Sequence, residues 1–323
     1  MKKIIITGSC GFIGFHLSKK LCEIGYHVIG IDNFSGRNKK LIKTRLKILK
    51  KLKNFNFEKK DLSKNFDLKN KGKFLALIHL AAKPGVRDSL LNPKIYFNNN
   101  LEAFFNIIEF SRRKKINNFL YASSSSVYGN LKNSKAYEDM KDLNPLSFYA
   151  LTKYFNERMA KYYTQVYKLN TVGLRFFSIY GPYGRDDMAY YKFPLQIIKK
   201  EIVKLNNKGN DLRDFTHVDN AVNGIINILK KIVTTKNKSL IFNIGSDNPV
   251  KISKILRIIE KQLDIKPKVR MLKKNKLDPF KTHADLKKIK KIGYSKNIKF
   301  QKGYEDFLAW FRKFYKIWLF KYG

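Results

Sequence analysis

Residues 7–14 read Thr7-Gly8-Ser9-Cys10-Gly11-Phe12-Ile13-Gly14. They join a short β-branched run, Ile4–Thr7, to a stretch, Phe12–Ile24, whose apolar residues recur with helical spacing. Gly8 permits a tight turn, Gly11 lets a pyrophosphate approach the backbone, and Gly14 allows close packing of helix on strand. The N–H groups at the helix N-terminus then face the phosphates. Three glycines alone are a weak signal, because loops use glycine for turn geometry. The next strand, His27–Asp32, strengthens it. It ends on Asp32, whose carboxylate can accept both ribose hydroxyls of NAD and would repel the 2′-phosphate of NADP. Arg37 and nearby lysines pull the other way, but the carboxylate favours NAD. Asp61, ending a third strand, could accept the adenine amino group.

Outward from this motif, strands and helices alternate. Strands are expected at Phe55–Asp61, Leu75–His79, Asn118–Ser123 and Thr171–Phe176, and helices at Asn92–Arg113 and Leu146–Tyr167. Such alternation predicts an α/β fold, a doubly wound parallel sheet with helices on both faces. The pattern breaks after Tyr180 at Gly181-Pro182-Tyr183-Gly184, and later elements are shorter and mixed. Residues 1–180, with segments around 215–245, are expected to form the dinucleotide-binding domain. Residues 181–323 are expected to supply most of a smaller substrate-binding lobe.

Composition bounds the rest. The chain has 323 residues, 44% hydrophobic and 14% aromatic, enough for a sizeable core and incompatible with a disordered chain. Two cysteines, Cys10 and Cys22, build neither a disulfide framework nor a zinc site, so a reducing, cytoplasmic setting is expected and no metal. No apolar run is long enough to span a bilayer. The N-terminal Met1–Thr7 is too short in its apolar part for a signal peptide and reads as the first strand. The net charge of +42 would suit nucleic acid or anionic ligands. The lysines are dispersed, however, so a solvated basic surface with no specific nucleic-acid site is expected.

Tyr149-Ala150-Leu151-Thr152-Lys153 places Tyr149 and Lys153 on one helix face. A free phenol titrates near 10, and a neighbouring ammonium together with a cationic nicotinamide ring favours phenolate. A shift of about 3 units needs roughly 4 kcal/mol, plausible in a dry site with two cations. Upstream, Ser123-Ser124-Ser125-Ser126-Val127-Tyr128-Gly129 ends the fifth strand, where ligands of such sheets sit. A hydroxyl there can bridge substrate and Tyr149.

With these residues in hand, the chain resembles the extended short-chain dehydrogenase/reductase family of nucleotide-sugar enzymes. Within it, the chain is most similar to UDP-glucuronate 4-epimerases. The resemblance runs from Lys3 to about Tyr315 through TGSCGFIGFHL, GIDNFSG, HLAAKPGVRDSLLNP, YASSSSVYGN, NPLSFYALTK, LRFFSIYGPYGRDDMAYYKF, DLRDFTHVD and FNIGSDNPV. It implies a Rossmann-type fold and a catalytic set of Ser124, Tyr149 and Lys153. It implies bound NAD surrounded by Gly8, Gly11, Phe12, Ile13, Gly14, Asp32, Asn33, Asp61, Leu62, Leu80, Ala81, Ala82, Asn100, Tyr149, Lys153 and Phe176. It implies a UDP-sugar held by Ser125, Ser126, Ser178, Arg185, Met188, Ala189, Lys192, Arg213 and Arg270, with Arg185 on the sugar carboxylate. Related dehydratases and decarboxylases carry an acid just before VYG, where this chain has Ser126. The implied reaction oxidises the sugar at C4 to a ketone and reduces it again from the other face, with Tyr149 as base. A homodimer through helices 92–113 and 146–167 is implied too. The chain departs from the uronate epimerases at Lys276-Leu277-Asp278-Pro279-Phe280, where they have a glycine-aspartate turn, and at Phe34-Ser35-Gly36-Arg37.

Three rival readings remain. One is a 4-epimerase of a neutral sugar, UDP-glucose or UDP-N-acetylglucosamine. Another is a non-enzymatic dinucleotide-binding regulator, disfavoured because a binding module has no need of Ser124, Tyr149 and Lys153 together. The last concerns the tail Phe307–Tyr322, where Trp310, Phe311, Phe314, Trp318 and Leu319 interleave with Arg312, Lys313 and Lys316. Such a helix can lie in a membrane interface or, as favoured here, pack on its own domain.

Overall fold

A computed structural model describes every residue except 65, 71, 132–133, 275–278 and 316–323. The chain opens with β1 (Lys3–Thr7), α1 (Phe12–Glu23), β2 (His27–Asp32), α2 (Lys39–Leu49) and β3 (Phe55–Lys59). β4 (Phe74–His79) follows, then two single turns, α3 (Asp88–Leu91) and α4 (Pro93–Tyr96), which run through a π-helical segment, Phe97–Glu102, into α5 (Ala103–Arg113). β5 (Asn118–Ser124), α6 (Phe148–Tyr167) and β6 (Asn170–Phe176) complete the alternation. The later elements are β7 (Ser178–Tyr180), α7 (Ala189–Ile198), β8 (Val203–Asn206), β9 (Leu212–His217), α8 (Val218–Ile232), β10 (Ser239–Ile244), β11 (Pro249–Lys251), α9 (Ile252–Leu263), β12 (Val269–Leu272), α10 (Lys287–Lys290) and α11 (Phe300–Phe314).

Seven strands form one sheet in the order β10-β6-β5-β4-β1-β2-β3, and every pair in it is parallel. This is a doubly wound Rossmann-type sheet with β10 added beyond β6. Ile4, Ile5 and Ile6 are fully buried, as expected of a strand covered on both faces. The winding reverses between β1 and β4, so the carboxyl ends of these two strands open a crevice. The remaining strands form a three-stranded sheet, β11-β9-β7, and a pair, β12-β8.

Three expected elements differ from the structure by more than one residue at an end. The helix expected over 92–113 is broken: Pro93 starts a fresh turn, and the Asn99 amide donates to Ile95 O at 2.8 Å in the π segment. A side chain that bonds the backbone four residues back competes with the regular helical ladder. The helix expected from Leu146 starts at Phe148, because Ser147 Oγ accepts the Ala150 N–H at 3.1 Å and caps it. The third strand stops at Lys59, and Asp61 lies beyond it in a turn, accepting from the N–H and hydroxyl of Ser63.

One apolar cluster gathers Tyr180, Tyr190, Tyr191, Phe215, Phe300, Tyr304, Phe307 and Phe311. Trp310 lies 4.9 Å from the Tyr183 ring and 5.0 Å from Phe314. The tail aromatics up to Tyr315 therefore pack on the chain's own fold, while Lys316, Trp318 and Leu319 lie outside the described residues. Cys10 and Cys22 are buried free thiols. Among the described residues no helix is long and apolar enough to cross a membrane.

Candidate active site

A cleft of about 460 Å³ opens at the carboxyl ends of β1, β2, β4 and β5. Its first wall is the glycine turn. Gly8 has φ +70°, and a Cβ there would stand 2.7 Å from Ala81 N, so only glycine closes this turn. The Gly8 N–H donates to Ile31 O at 2.7 Å, tying the turn to β2. A Cβ on Gly14 would lie 2.0 Å from Gly8 O, so glycine also brings α1 against the turn. Gly11 starts α1 without a side-chain cap, and Gly11, Phe12, Ile13 and Gly14 line the cleft.

Asp32 faces this wall. Its Oδ2 accepts the Cys10 N–H at 3.0 Å and its Oδ1 the Phe34 N–H at 2.8 Å. Burial raises its pKa, against these bonds and the charge of Arg45. Each oxygen keeps acceptor capacity for a ribose hydroxyl. Asn33, Asp61, Leu62, Leu80, Ala81, Ala82 and Phe176 also line the cleft. Asn100 does not. It is buried behind the wall, where its amide bonds Lys83 N–H and O at 2.7 and 3.1 Å and the Thr152 hydroxyl at 3.2 Å. It braces the strand end that the cleft uses.

β5 delivers Ser124, and α6 delivers Tyr149 and Lys153. Ser124 Oγ accepts the Ser126 N–H at 3.1 Å and lies 3.1 Å from Ser126 Oγ, fixing the turn Ser125–Tyr128. The Lys153 ammonium donates to Ala122 O at 2.9 Å, and burial lowers its pKa to about 8. Burial raises the phenol of Tyr149; a hydrogen bond from Ser124 and the charge of Arg185 pull it down, and Asp187 pushes it up. The Lys153 ammonium is held at the end of β5, and the charge of Arg185 acts on the phenol in this structure.

Behind Ser124 sits a buried network. Glu157 Oε1 accepts from Ser123 Oγ at 2.5 Å and from Arg175 Nε at 2.8 Å, and Oε2 accepts from Arg175 Nη2 at 2.7 Å. The Arg175 guanidinium lies 4.6 Å from the Tyr128 ring. Both ends of the serine turn are thereby clamped to α6 and β6.

The roof is the loop after β7. Ser178, Arg185 and Met188 line the cleft with Ser125 and Ser126. Arg185 Nε and Nη2 donate to Asp187 Oδ1 at 3.0 Å and Oδ2 at 2.6 Å. Four residues expected around the sugar stand outside the lining. Ala189 opens α7 directly after Met188, and Lys192, one turn further on, is exposed. Arg213 donates to Leu212 O and Phe280 O and pairs with Asp211. Arg270 is exposed on β12.

Sequence reasoning missed several polar residues of the cleft, among them Arg45 and Asp187. Arg45 is buried and donates to Cys10 O at 3.0 Å, to Gly184 O at 3.0 Å and to Tyr183 O, joining the glycine turn to the roof. It was hidden among the lysines of α2. Asp187 did carry a signal: two adjacent acids next to an arginine, in a chain short of acids.

These groups fit NAD, since the glycine cradle admits no Cβ and Asp32 offers two acceptor oxygens. The profile of the NAD dependent epimerase/dehydratase family matches residues 4–245. An uncharacterized protein of Methanocaldococcus jannaschii is 43% identical over 98% of both chains. UDP-glucuronate 4-epimerase 4 of Arabidopsis thaliana is 35% identical over 97% of this chain and 76% of its own. A crystal structure of UDP-glucuronic acid 4-epimerase from Bacillus cereus, in complex with UDP-glucuronic acid and NAD, matches with a TM-score of 0.90 at 30% identity, over 97% of this chain and 100% of that one. The chain therefore belongs to the NAD dependent epimerase/dehydratase family and is an NAD-dependent nucleotide-sugar epimerase.

Proposed function

We propose that the cleft interconverts UDP-glucuronate and UDP-galacturonate by inverting C4 of the sugar. The observation that carries this reading is a guanidinium, Arg185, in the cleft lining beside Tyr149, where its charge opposes the rise that burial imposes on the phenol's pKa. Relatives named UDP-glucuronate 4-epimerase, 35% and 34% identical, support it. NAD, when bound, accepts and returns the hydrogen of C4 with its electron pair.

The chain's own residues do the rest. Tyr149 takes the proton of the 4-hydroxyl as general base and returns one later, with Ser124 relaying through its hydroxyl. Lys153, anchored on Ala122 O, fixes α6 against β5 under the reacting atoms. The 4-ketone of a uronate stands β to the carboxylate and can lose carbon dioxide. Ser125, Ser126, Ser178 and Arg185 restrain that carboxylate so the breaking bond stays poorly aligned with the carbonyl. Residues 1–180 hold the dinucleotide, and the C-terminal part holds most of the UDP-sugar.

A second reading, a neutral-sugar epimerase, has one observation in its favour: Arg185 is already paired with Asp187, which offsets the charge of its guanidinium. Purified protein incubated with UDP-glucuronate, UDP-glucose and UDP-N-acetylglucosamine, with no NAD added, separates the two. UDP-galacturonate as the main product is expected. Turnover of the neutral sugars alone would replace the uronate assignment.

A homodimer through α5 and α6 belongs to the same proposal. Leu151, Phe155, Tyr162 and Val166 are exposed along one stripe of α6, and Ile95, Phe97 and Phe105 are exposed on the neighbouring segment. An exposed, largely apolar face of this kind, interrupted on α6 by Arg158, fits a second copy of the chain.

A further inference from the structure

We propose that Asp187 is a resident competitor for Arg185, a positioning residue that occupies the guanidinium until a sugar carboxylate takes it and again when that carboxylate moves away. This rests on the uronate reading above. Asp187 fills the Nε–Nη2 edge of the fork with two bonds, 3.0 and 2.6 Å long. A second carboxylate can use only the outer edge or displace Asp187. The pair is placed for exchange, since the two side chains keep 32% and 30% of their surface exposed. Pairs reached by solvent are weak and give way to a better partner.

The loop does not need Asp187 to hold its shape. The Arg185 N–H donates to Tyr190 Oη at 3.0 Å, and Gly184 lies so close to that oxygen that a Cβ would stand 2.0 Å from it. The Asn38 amide donates to Asp186 Oδ2 at 3.0 Å. With the backbone pinned by these groups, the bonds of Asp187 act on the guanidinium.

The reaction gives such a competitor a purpose. Inversion at C4 requires the flat ketosugar to present both faces to one reaction centre, so the ring must turn. An unopposed guanidinium would grip the carboxylate equally in ground and transition states and hold the ring in one pose, which deepens binding without speeding turnover. Asp187 supplies a partner as the carboxylate swings, so the guanidinium is never left uncompensated.

The test uses the NAD-loaded enzyme and two neutral replacements, Asp187→Asn and Asp187→Ala. Calorimetric titration with UDP-glucuronate and UDP-glucose is expected to show the preference for the uronate rising about three- to tenfold, more for Ala than for Asn. Steady-state kinetics with the uronate are expected to show KM and kcat falling together. A residue that merely scaffolds Arg185 would lose uronate preference when removed. That result, or an unchanged ratio, overturns the proposal. The titrations are made in a Tyr149→Phe background, which binds the sugar without turning it over, so the ratio stands apart from wild-type activity on UDP-glucuronate, which tests the function itself.

Discussion

At the residue scale, the phenol of Tyr149 governs the chemistry. It meets Ser124, lies under the charges of Arg185 and Asp187, and shares a helix face with Lys153. Tyr149→Phe keeps the ring that packs edge-on against Tyr96 at 6.3 Å but removes the proton acceptor. Epimerisation should fall by at least about 10²-fold while bound NAD is retained; near-wild-type turnover would remove Tyr149 from the base role. Arg185→Ala should move the acid limb of the rate profile to higher pH, because the reactive form is the phenolate and its stabilising cation is gone. A limb that stays in place would mean that Arg185 does not act on the phenol.

At the element scale, α6 carries both Tyr149 and Lys153, so its first turn sets their position. Ser147 caps that turn by accepting the Ala150 N–H. Ser147→Ala should cost about 1 kcal/mol in chemical denaturation, and Ser147→Asp should recover most of it. The unfolding midpoint checks this. Activity should drop with the cap, since the residue two places on is Tyr149. The periodicity of this helix was legible in the sequence. The break in the helix before it was not, because Asn98-Asn99-Asn100 reads as ordinary helix until side chains are seen to bond the backbone.

At the scale of the whole molecule, buried histidines couple stability to pH. His79 lies in register with Thr7 and 2.7 Å from its hydroxyl, and burial lowers its pKa to about 3. Between that value and the ordinary 6.5, the unfolded chain holds a proton that the fold does not, so stability rises with pH across the window and is lost as pH falls. The slope is about 1.4 kcal/mol per pH unit for such a group. Melting temperatures between pH 7 and pH 4.5 should decline more gently in His79→Gln than in wild type; parallel curves would exclude His79 as the source. Phe155→Lys, on the exposed stripe of α6, should shift a dimer towards monomer in sedimentation, and a wild-type monomer would remove α6 as an interface.

The family resemblance singled out Ser124 among its neighbours; the sequence by itself determined the parallel sheet, the glycine turn with its Asp32, and the pair Tyr149 and Lys153 on one helix face. These follow from local rules: period, turn chemistry and spacing along one helix. Only the tertiary structure decided which cations and acids meet. Arg185 was legible as a cation near the sugar, but its occupation by Asp187 was not. Arg45 looked like one more basic residue of α2 until the fold brought it under Cys10, Tyr183 and Gly184. Arg213 and Arg270 read as anion contacts, and only the fold shows that they stand outside the lining of this cleft. Charge on a side chain is a property of the residue. Its partner is fixed by contacts between segments far apart in the chain, and a chain carrying 67 lysines and arginines offers too many candidates for spacing alone to choose among them.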